Sequence, residues 1–440
     1  MTVKVEKYPG LSVGDNGHLQ FSGADCVSLA KKFGTPLYVI SEDVLRDTCR
    51  IQRAAFEKYF PDAHISFSTK ALPAVAVMRI AVQEGLGLDA SSPGELFGAL
   101  KAGCDPENTI LHGNFKKTED LVFALENRVG RIVIDSFEEI EALDKVARAM
   151  KTTARVQVRV NPGVEAHTFE MLKVGMLDSK FGLPLENNDA LNAVARIVKK
   201  KHLEFMGIHY HIGSQILDPV PFRVSAERAM NFLHKLHQKL GVQVRELNIG
   251  GGLPVRYGSS HPMPAPGKFA DQVCGAVKKL CADFGLELPR IILEPGRSVA
   301  GPAGITLYTV GPVKHIPGIR DYVSVDGGLS DNVRPGLYGA TYDVLLANKA
   351  AAKTSRKKYR VCGRHCETDN LFNDLALADP QYGDIMAVLS TGAYNFSMSS
   401  NYNKFPRPAM VLVSRGKARL IMERESYADL YRKDITKGGA

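Results

Sequence analysis

Within SFSTKALP (66–73), a short apolar run stops in an amine, Lys70, with a proline three residues on. A strand-end lysine is ordinarily solvated, but a lysine amine can also condense with a carbonyl to form a Schiff base. Farther along, NIGGG (248–252) sets Gly250, Gly251 and Gly252 in a row. Lacking side chains, their backbone N–H groups can approach an anion closely; a tight turn without a ligand is the other reading. HYHIGS (209–214) offers His211 and Ser214, and RIILEPGR (290–297) offers the carboxylate of Glu294 and the guanidinium of Arg297. CGRHC (362–366) brackets a histidine with two thiols. A metal held by Cys362, His365 and Cys366 would want a fourth ligand of like kind, and no second C-x-x-C cluster exists, so no metal is expected.

Positioning these residues is the work of a repeating pattern over about 64–297: a short β-rich run, a polar or glycine residue at its end, then a helical stretch. The runs are HISFSTK (64–70), GLGLDAS (85–91), TILHG (109–113), RIVIDS (131–136), RVQVRVNP (155–162), FMGIHYHIGS (205–214), RELNIGGG (245–252) and RIILEPGR (290–297). Between them lie amphipathic segments such as PGELFGALKAG and SFEEIEALDKVARAM, with apolar residues at helical spacing. Strand–helix alternation implies a parallel sheet. Eight such units, the first four spaced by roughly 22–24 residues, predict a (β/α)8 TIM barrel. A doubly wound open sheet would advertise G-x-G-x-x-G after its first strand, and none is there.

In such a barrel, function sits at the C-terminal strand ends. Read in order, these ends carry Lys70, Asp89, His112, Asp135, Asn161, His211, Gly250 to Gly252, and Glu294 with Arg297. After about residue 300 the chain turns β-rich (GITLYTVGPVKHI, YVSVDGG, KYRVCGRHCET, GDIMAVLST, AMVLVSRGKARLIM). The opening LSVGDNGHLQFSG reads as a hairpin around Asp15-Asn16-Gly17. The expected organisation is therefore α/β plus all-β: N-terminal strands (1–35) joining a C-terminal β-barrel or sandwich domain (299–440), with the barrel (36–298) between them.

A lysine, a phosphate cradle and a carboxylate on one rim suggest pyridoxal 5′-phosphate. Lys70 would hold it as a Schiff base, Glu294 would pair with its pyridine nitrogen, and His211 would stack on its ring. The glycines, with Ser214 and Arg297, would hold the phosphate. Each residue alone also has a structural reading, Glu294 as a strand-end ion pair and His211 as a satisfied core histidine.

The chain resembles the fold type III (alanine-racemase-like) pyridoxal-phosphate decarboxylases, and within them the members acting on diaminopimelate. FSTKA, GLGLDASSPGEL, RVNPG, DSKFG, HYHIGSQ, NIGGG, EPGRSVAGPAG, VDGG, RPGLYGA, CGRHCETD and STGAYNFSMSSNYN carry the likeness, from about residue 36 to beyond 410. The resemblance implies decarboxylation of meso-2,6-diaminopimelate to L-lysine and CO2, the last step of lysine biosynthesis. It also implies a homodimer whose active sites are shared across the interface. Asp89, Gly296 and Tyr394 would join the cofactor site. Arg297, Arg334, Tyr338 and Tyr394 would hold the substrate, the arginines taking its distal carboxylate. Cys366 and Glu367 would come from the partner subunit as proton donor and contact to the distal amine.

Two arginines argue for an anionic distal group over the cationic ends of ornithine or lysine. The rival readings are a sister decarboxylase of a D-basic amino acid, carboxynorspermidine or a siderophore intermediate, an amino-acid racemase, and a non-catalytic pyridoxal-phosphate-binding protein. The sequence departs from the family at Pro254, usually glycine, and at Val174 in HTFEMLKVG (167–175), usually threonine. CETDN is one residue shorter than the common CESGD-like form, which affects Asp369.

The bulk composition excludes other classes. Of 440 residues, 45% are hydrophobic and 23% charged, ordinary globular values. No run of about 18 apolar residues occurs, and MTVKVEKYPG lacks the h-region of an export signal, so neither membrane nor secretion is expected. Seven scattered cysteines fit thiols in a reducing cytoplasm. The net charge of +9 is spread along the chain; its densest cluster, KTSRKKYR (353–360), sits in no nucleic-acid module and reads as a solvated loop.

Overall fold

A computed structural model describes residues 3–164, 178–258, 262–352 and 357–435. Val174 and the whole of HTFEMLKVG lie outside the described residues, as does the first half of KTSRKKYR. The chain divides into two compact units. One comprises Met1–Leu45, Val255–His261 and Ala300–Ala440, the other Arg46–Pro254 and Pro262–Val299.

The second unit is the barrel. Its strands are β1 (His64–Ser68), β2 (Gly87–Ala90), β3 (Thr109–Leu111), β4 (Arg131–Ile134), β5 (Ala154–Asn161), β6 (Leu203–His209), β7 (Glu246–Asn248) and β8 (Arg290–Leu293). Each pairs in parallel with the next, and Ile292↔His64 and Leu293↔Ile65 close β8 onto β1. All eight sequence runs fall on these strands, because a strand flanked on both sides needs apolar and β-branched residues. Ile110, Val133 and Ile292 form an apolar plug inside the barrel.

The amphipathic segments are helices, and their first turns secure the strand ends. Ser92 Oγ caps Pro93–Lys101 by accepting from Glu95 N at 3.2 Å, and Ser136 Oγ caps Phe137–Ala149 by accepting from Glu139 N at 3.3 Å. The third residue of each helix, a glutamate, then reaches back past the cap. Glu95 Oε2 accepts from Ser91 N (2.7 Å) and from Thr69 Oγ1 (2.9 Å), so it pins the turn that carries Lys70. Glu139 accepts from Asp135 N and from the buried amine of Lys116.

The other unit is a mixed sheet in the order Asn370–Leu377, Lys357–Cys362, Arg320–Val325, Gly304–Ile316, Leu37–Ser41, Ala409–Ser414, Lys417–Met422. Val344–Leu346 pairs with Ile385–Val388, which pairs in turn with Gly304–Ile316. The N-terminal hairpin forms as expected, Leu11–Val13 against Leu19–Phe21. Arg415 and Gly416, at φ 48° and 76°, make the turn between Ala409–Ser414 and Lys417–Met422. Leu37–Ser41 lies on the β side of the boundary expected at residue 36. It pairs antiparallel with Gly304–Leu307 and parallel with Ala409–Val413, so the barrel unit starts at Arg46. Its five residues are buried on both faces, and a single apolar strand reads alike in either kind of sheet.

Candidate active site

At the C-terminal end of β1, Lys70 occupies a one-turn helix, Thr69–Ala71, whose other two residues are buried. Its own side chain is exposed, so Lys70 is a surface amine on a rigid turn and not a buried one. Thr69 Oγ1 donates to Asp89 O (2.8 Å) and to Glu95. Gly296 backs the same turn: a Cβ there would meet the Cβ atoms of Ser68 and Ala71 at 3.1 Å. The Lys70 charge reaches both Asp89 and His211.

Glu294, just past β8, is closely surrounded by nitrogen atoms. Its Oε1 receives Asn248 Nδ2 at 2.7 Å and His112 Nε2 at 2.8 Å, while Oε2 lies 3.2 Å from His209 Nε2. His112 and His209 hold this carboxylate well below its ordinary range against the cost of its burial. An ionised carboxylate only accepts, so the His112 ring nitrogen donates. Asp89 behaves oppositely. Burial, then the charge of Glu294, pushes it up to about 6. Two carboxylates at one site separate their pKa values when only one is well supplied with donors. Asp89 Oδ1 is buried without a hydrogen-bond partner, 3.8 Å from His112 Nε2.

His211 is driven well below its usual range by burial and by the charges of Lys70 and Arg159, and is neutral. Gly251 N donates to its Nδ1 at 3.2 Å, so the ring proton resides on Nε2. The glycine run is a close-approach loop. Gly250 has φ 68°, and a Cβ there would lie 3.0 Å from His211 Nδ1; Gly252 has φ 118° and would meet Gly213 O at 2.7 Å. The loop does not present three N–H groups to a ligand. Gly250 N is taken by Asn248 Oδ1 (3.0 Å) and Gly251 N by His211, so that among the described residues only Gly252 N of the three is left without a partner. Arg297, buried at 4% exposure, donates from Nε to Ser214 Oγ at 2.9 Å. Pro254 ends the barrel segment that carries this loop, and is buried.

These residues fit a phosphorylated pyridoxal: an amine on a fixed turn, a side-chain-free loop, an ionised buried carboxylate, a neutral imidazole and a buried acid oxygen with no partner. Lys70, Asp89, His211, Ser214, Gly250 to Gly252, Glu294, Gly296 and Arg297 all lie in this unit.

The remaining expected residues lie in the β unit. Arg334 opens the short helix Arg334–Tyr338 and is 2% exposed. Its Nη1 donates to Tyr257 Oη (3.1 Å) and to Tyr342 Oη, and its guanidinium lies over both rings. Among the described residues, no carboxylate is one of its partners. Tyr338 packs half-buried against the same apolar core, and Tyr394 sits half-buried at φ 64°.

Cys366 is exposed, on a loop fastened at both sides. Cys366 N donates to Asn403 Oδ1 (2.9 Å), and Tyr402 Oη donates to Glu367 Oε1 (2.5 Å). Asp369, at φ 42°, receives Leu329 N, His365 N and His365 Nδ1, the last at 2.6 Å. The shortened motif thus closes around a buried His365–Asp369 pair. Cys362 turns elsewhere, toward Ser324 Oγ and Val323 O. Among the described residues, the ligating cluster lies not here but at His112, His209 and Glu294, within 4.8 Å of one another. There the carboxylate is already surrounded by nitrogens.

Sequence reasoning missed His209, Asn248, Gln157, Tyr257 and Tyr342, and left His112 without a role. For two of them a signal existed: Gln157 alternates with valines in RVQVRVN, and His209 ends its strand two residues before His211.

Acid should weaken the cofactor-free protein. Burial lowers His64 to about 4 and His209 to about 3 and drives His211 well below its usual range, so between about 4 and 6.5 the unfolded chain binds three protons that the folded chain refuses. Burial opposes this at two carboxyls, raising Asp89 to about 6 and Asp331 to about 7. The net proton favours unfolding as pH falls, at about 1.4 kcal/mol per pH unit. A urea midpoint lower at about pH 4.5 than at pH 6.5 is expected; an equal or higher one would contradict it.

Residues 46–301 match the family model of the pyridoxal-dependent decarboxylase, pyridoxal binding domain. Diaminopimelate decarboxylase of Bacillus subtilis (strain 168) is 40% identical over 421 residues, covering 96% of each chain. The structure of diaminopimelate decarboxylase from M. jannaschii in co-complex with L-lysine superposes with a TM-score of 0.92 at 32% identity, covering 98% of both chains. Lysine/ornithine decarboxylase from Vibrio vulnificus shares the fold, with a TM-score of 0.75 at 21% identity and 88% coverage of this chain.

Proposed function

The chain belongs to the diaminopimelate decarboxylases, within the pyridoxal-dependent decarboxylases, and from that premise we propose that it converts meso-2,6-diaminopimelate to L-lysine and CO2. The cofactor is pyridoxal 5′-phosphate, which supplies an electron sink for the bond that loses CO2. Lys70 holds it covalently. Glu294, kept ionised by His112, His209 and Asn248, pairs with its ring nitrogen, and neutral His211 lies against its ring without competing for charge. Gly252, with Gly250 and Gly251 shaping the loop, holds the phosphate with Ser214, Arg297 and Tyr394. Asp89 and Gly296 complete the cofactor site.

For the substrate, Arg297, Arg334, Tyr338 and Tyr394 orient the distal end, Glu367 takes the distal amine, and Cys366 delivers the proton that replaces CO2. Cys366 and Glu367 serve a partner subunit in a homodimer. The protein works in the cytoplasm; among the described residues, no helix is long and apolar enough to cross a membrane.

The observation that carries the substrate choice is Arg334. A buried guanidinium is costly unless paired, and here its hydrogen-bond partners are two tyrosine hydroxyls. An anionic ligand supplies the missing charge, which diaminopimelate has distally and a basic amino acid lacks. Arg334→Gln removes charge-assisted bonds worth about 2–3 kcal/mol, so kcat/KM should fall roughly 10²-fold. The purified protein should release CO2 from meso-diaminopimelate but not from D-lysine, D-ornithine or L-lysine, and Arg334→Gln should still bind the cofactor. CO2 from a basic amino acid alone would sink the distal-carboxylate reading.

A further inference from the structure

Beside its apolar plug, the interior of this barrel carries a buried polar column beneath the rim. On β4, Arg131 donates from Nε (3.1 and 3.0 Å) and Nη2 (2.5 Å) to Glu246 of β7, and from Nη1 to Glu107 O. Gln157 of β5 donates from Nε2 to Glu246 Oε2 at 2.8 Å. Asn248 of β7 donates from Nδ2 to Gln157 Oε1 at 3.1 Å and to Glu294 Oε1 at 2.7 Å, while its Oδ1 accepts from Gly250 N. Gln157 and Asn248 are completely buried, Glu246 is 3% exposed and Arg131 7%.

The direction of every bond in this column is forced from below. The Glu246 carboxylate is held ionised by Arg131 against the cost of burial, so it only accepts. Gln157 must therefore turn its NH2 downward and its carbonyl upward. That carbonyl requires an N–H from Asn248, whose second N–H meets Glu294 and whose oxygen is left for Gly250 N. One amide thus fixes both the carboxylate proposed to face the cofactor ring and the first glycine of the loop proposed to hold its phosphate. A flipped Asn248 would set oxygen against oxygen at two places.

We propose that Gln157 and Asn248 are positioning residues, through which the Arg131–Glu246 ion pair at the base of the barrel orients Glu294 and the Gly250–Gly252 loop for the cofactor. This rests on the cofactor reading above and deepens it. Ordinary core packing would account for buried polar groups, but not for their linkage in one direction to two halves of one binding site.

The test is titration of cofactor-free protein with pyridoxal phosphate, for wild type, Gln157→Met and Glu246→Gln. Two readouts are the dissociation constant and the pH midpoint of the bound cofactor's visible spectrum, with thermal unfolding recorded alongside. Gln157→Met cuts the column at similar volume and should weaken binding about 10-fold, the scale found for residues one layer behind a bound group, and should move the spectral midpoint. Glu246→Gln lets the amides above it take either orientation and should shift both readouts the same way by less. It also carries the test should Gln157→Met fail to fold. Variants that lose thermal stability but keep the wild-type constant and midpoint would overturn the column as a positioning device. A wild-type chain that binds no pyridoxal phosphate would overturn the cofactor reading, and the column with it.

Discussion

Lys70→Ala should leave a stable protein that no longer holds pyridoxal phosphate covalently, with turnover down by at least about 10³-fold, as when an enzyme loses its nucleophile. The two halves of this expectation have separate causes. The Lys70 side chain is exposed, and the turn beneath it is held by Thr69, Glu95 and the Gly296 backbone, none of which the substitution touches. The variant should therefore still fold, with a cooperative thermal transition as the check. The visible absorbance of the covalently held cofactor should vanish after gel filtration, and a small primary amine in the buffer should restore part of the turnover. A variant that keeps that absorbance would return Lys70 to the solvated lysine its sequence context first suggests.

The barrel was legible because its signals are local and repeated. Each strand run is short, β-rich and followed by a polar residue, and Ser92-x-x-Glu95 and Ser136-x-x-Glu139 mark where two helices begin. Lys70, His211 and Glu294 could be placed on one rim since strand-end position alone decides it. What the sequence could not show was which polar groups satisfy each other. Gly250 and Gly251 read as anion donors until Asn248 and His211 were seen to occupy their N–H groups. His112 and His209 are separated in sequence from Glu294 and have no spacing rule that joins them to it. Arg334 was found through its family motif, but its two tyrosine partners lie at 257 and 342, and only folding brings them to it. The strand Leu37–Ser41 was misplaced for a related reason: its partners at 304–307 and 409–413 are remote, and pairing is not encoded in one strand.

Cys366→Ala should separate protonation from cofactor binding. The thiol is exposed, and its loop is held by bonds that do not use sulfur: Cys366 N to Asn403, Tyr402 to Glu367, and Asp369 with His365 at the base. Removing Sγ therefore leaves Glu367 in place and takes away only a proton. General acids contribute about 10²- to 10⁴-fold, so kcat should fall by roughly 10²-fold or more, while the pyridoxal phosphate dissociation constant stays within about twofold. Asp369→Asn is the instructive companion. It keeps the thiol but replaces the carboxylate oxygen that lies 2.6 Å from His365 Nδ1 with an amide, which should weaken that hold. If Cys366 acts from a fixed loop, this variant should lose kcat without losing the thiol's reaction with an alkylating agent. Should Cys366→Ala retain a third or more of wild-type kcat, another group protonates the product carbon. The buried His365–Asp369 pair would then be holding Glu367 alone, and KM for diaminopimelate, not kcat, would be what Asp369→Asn changes.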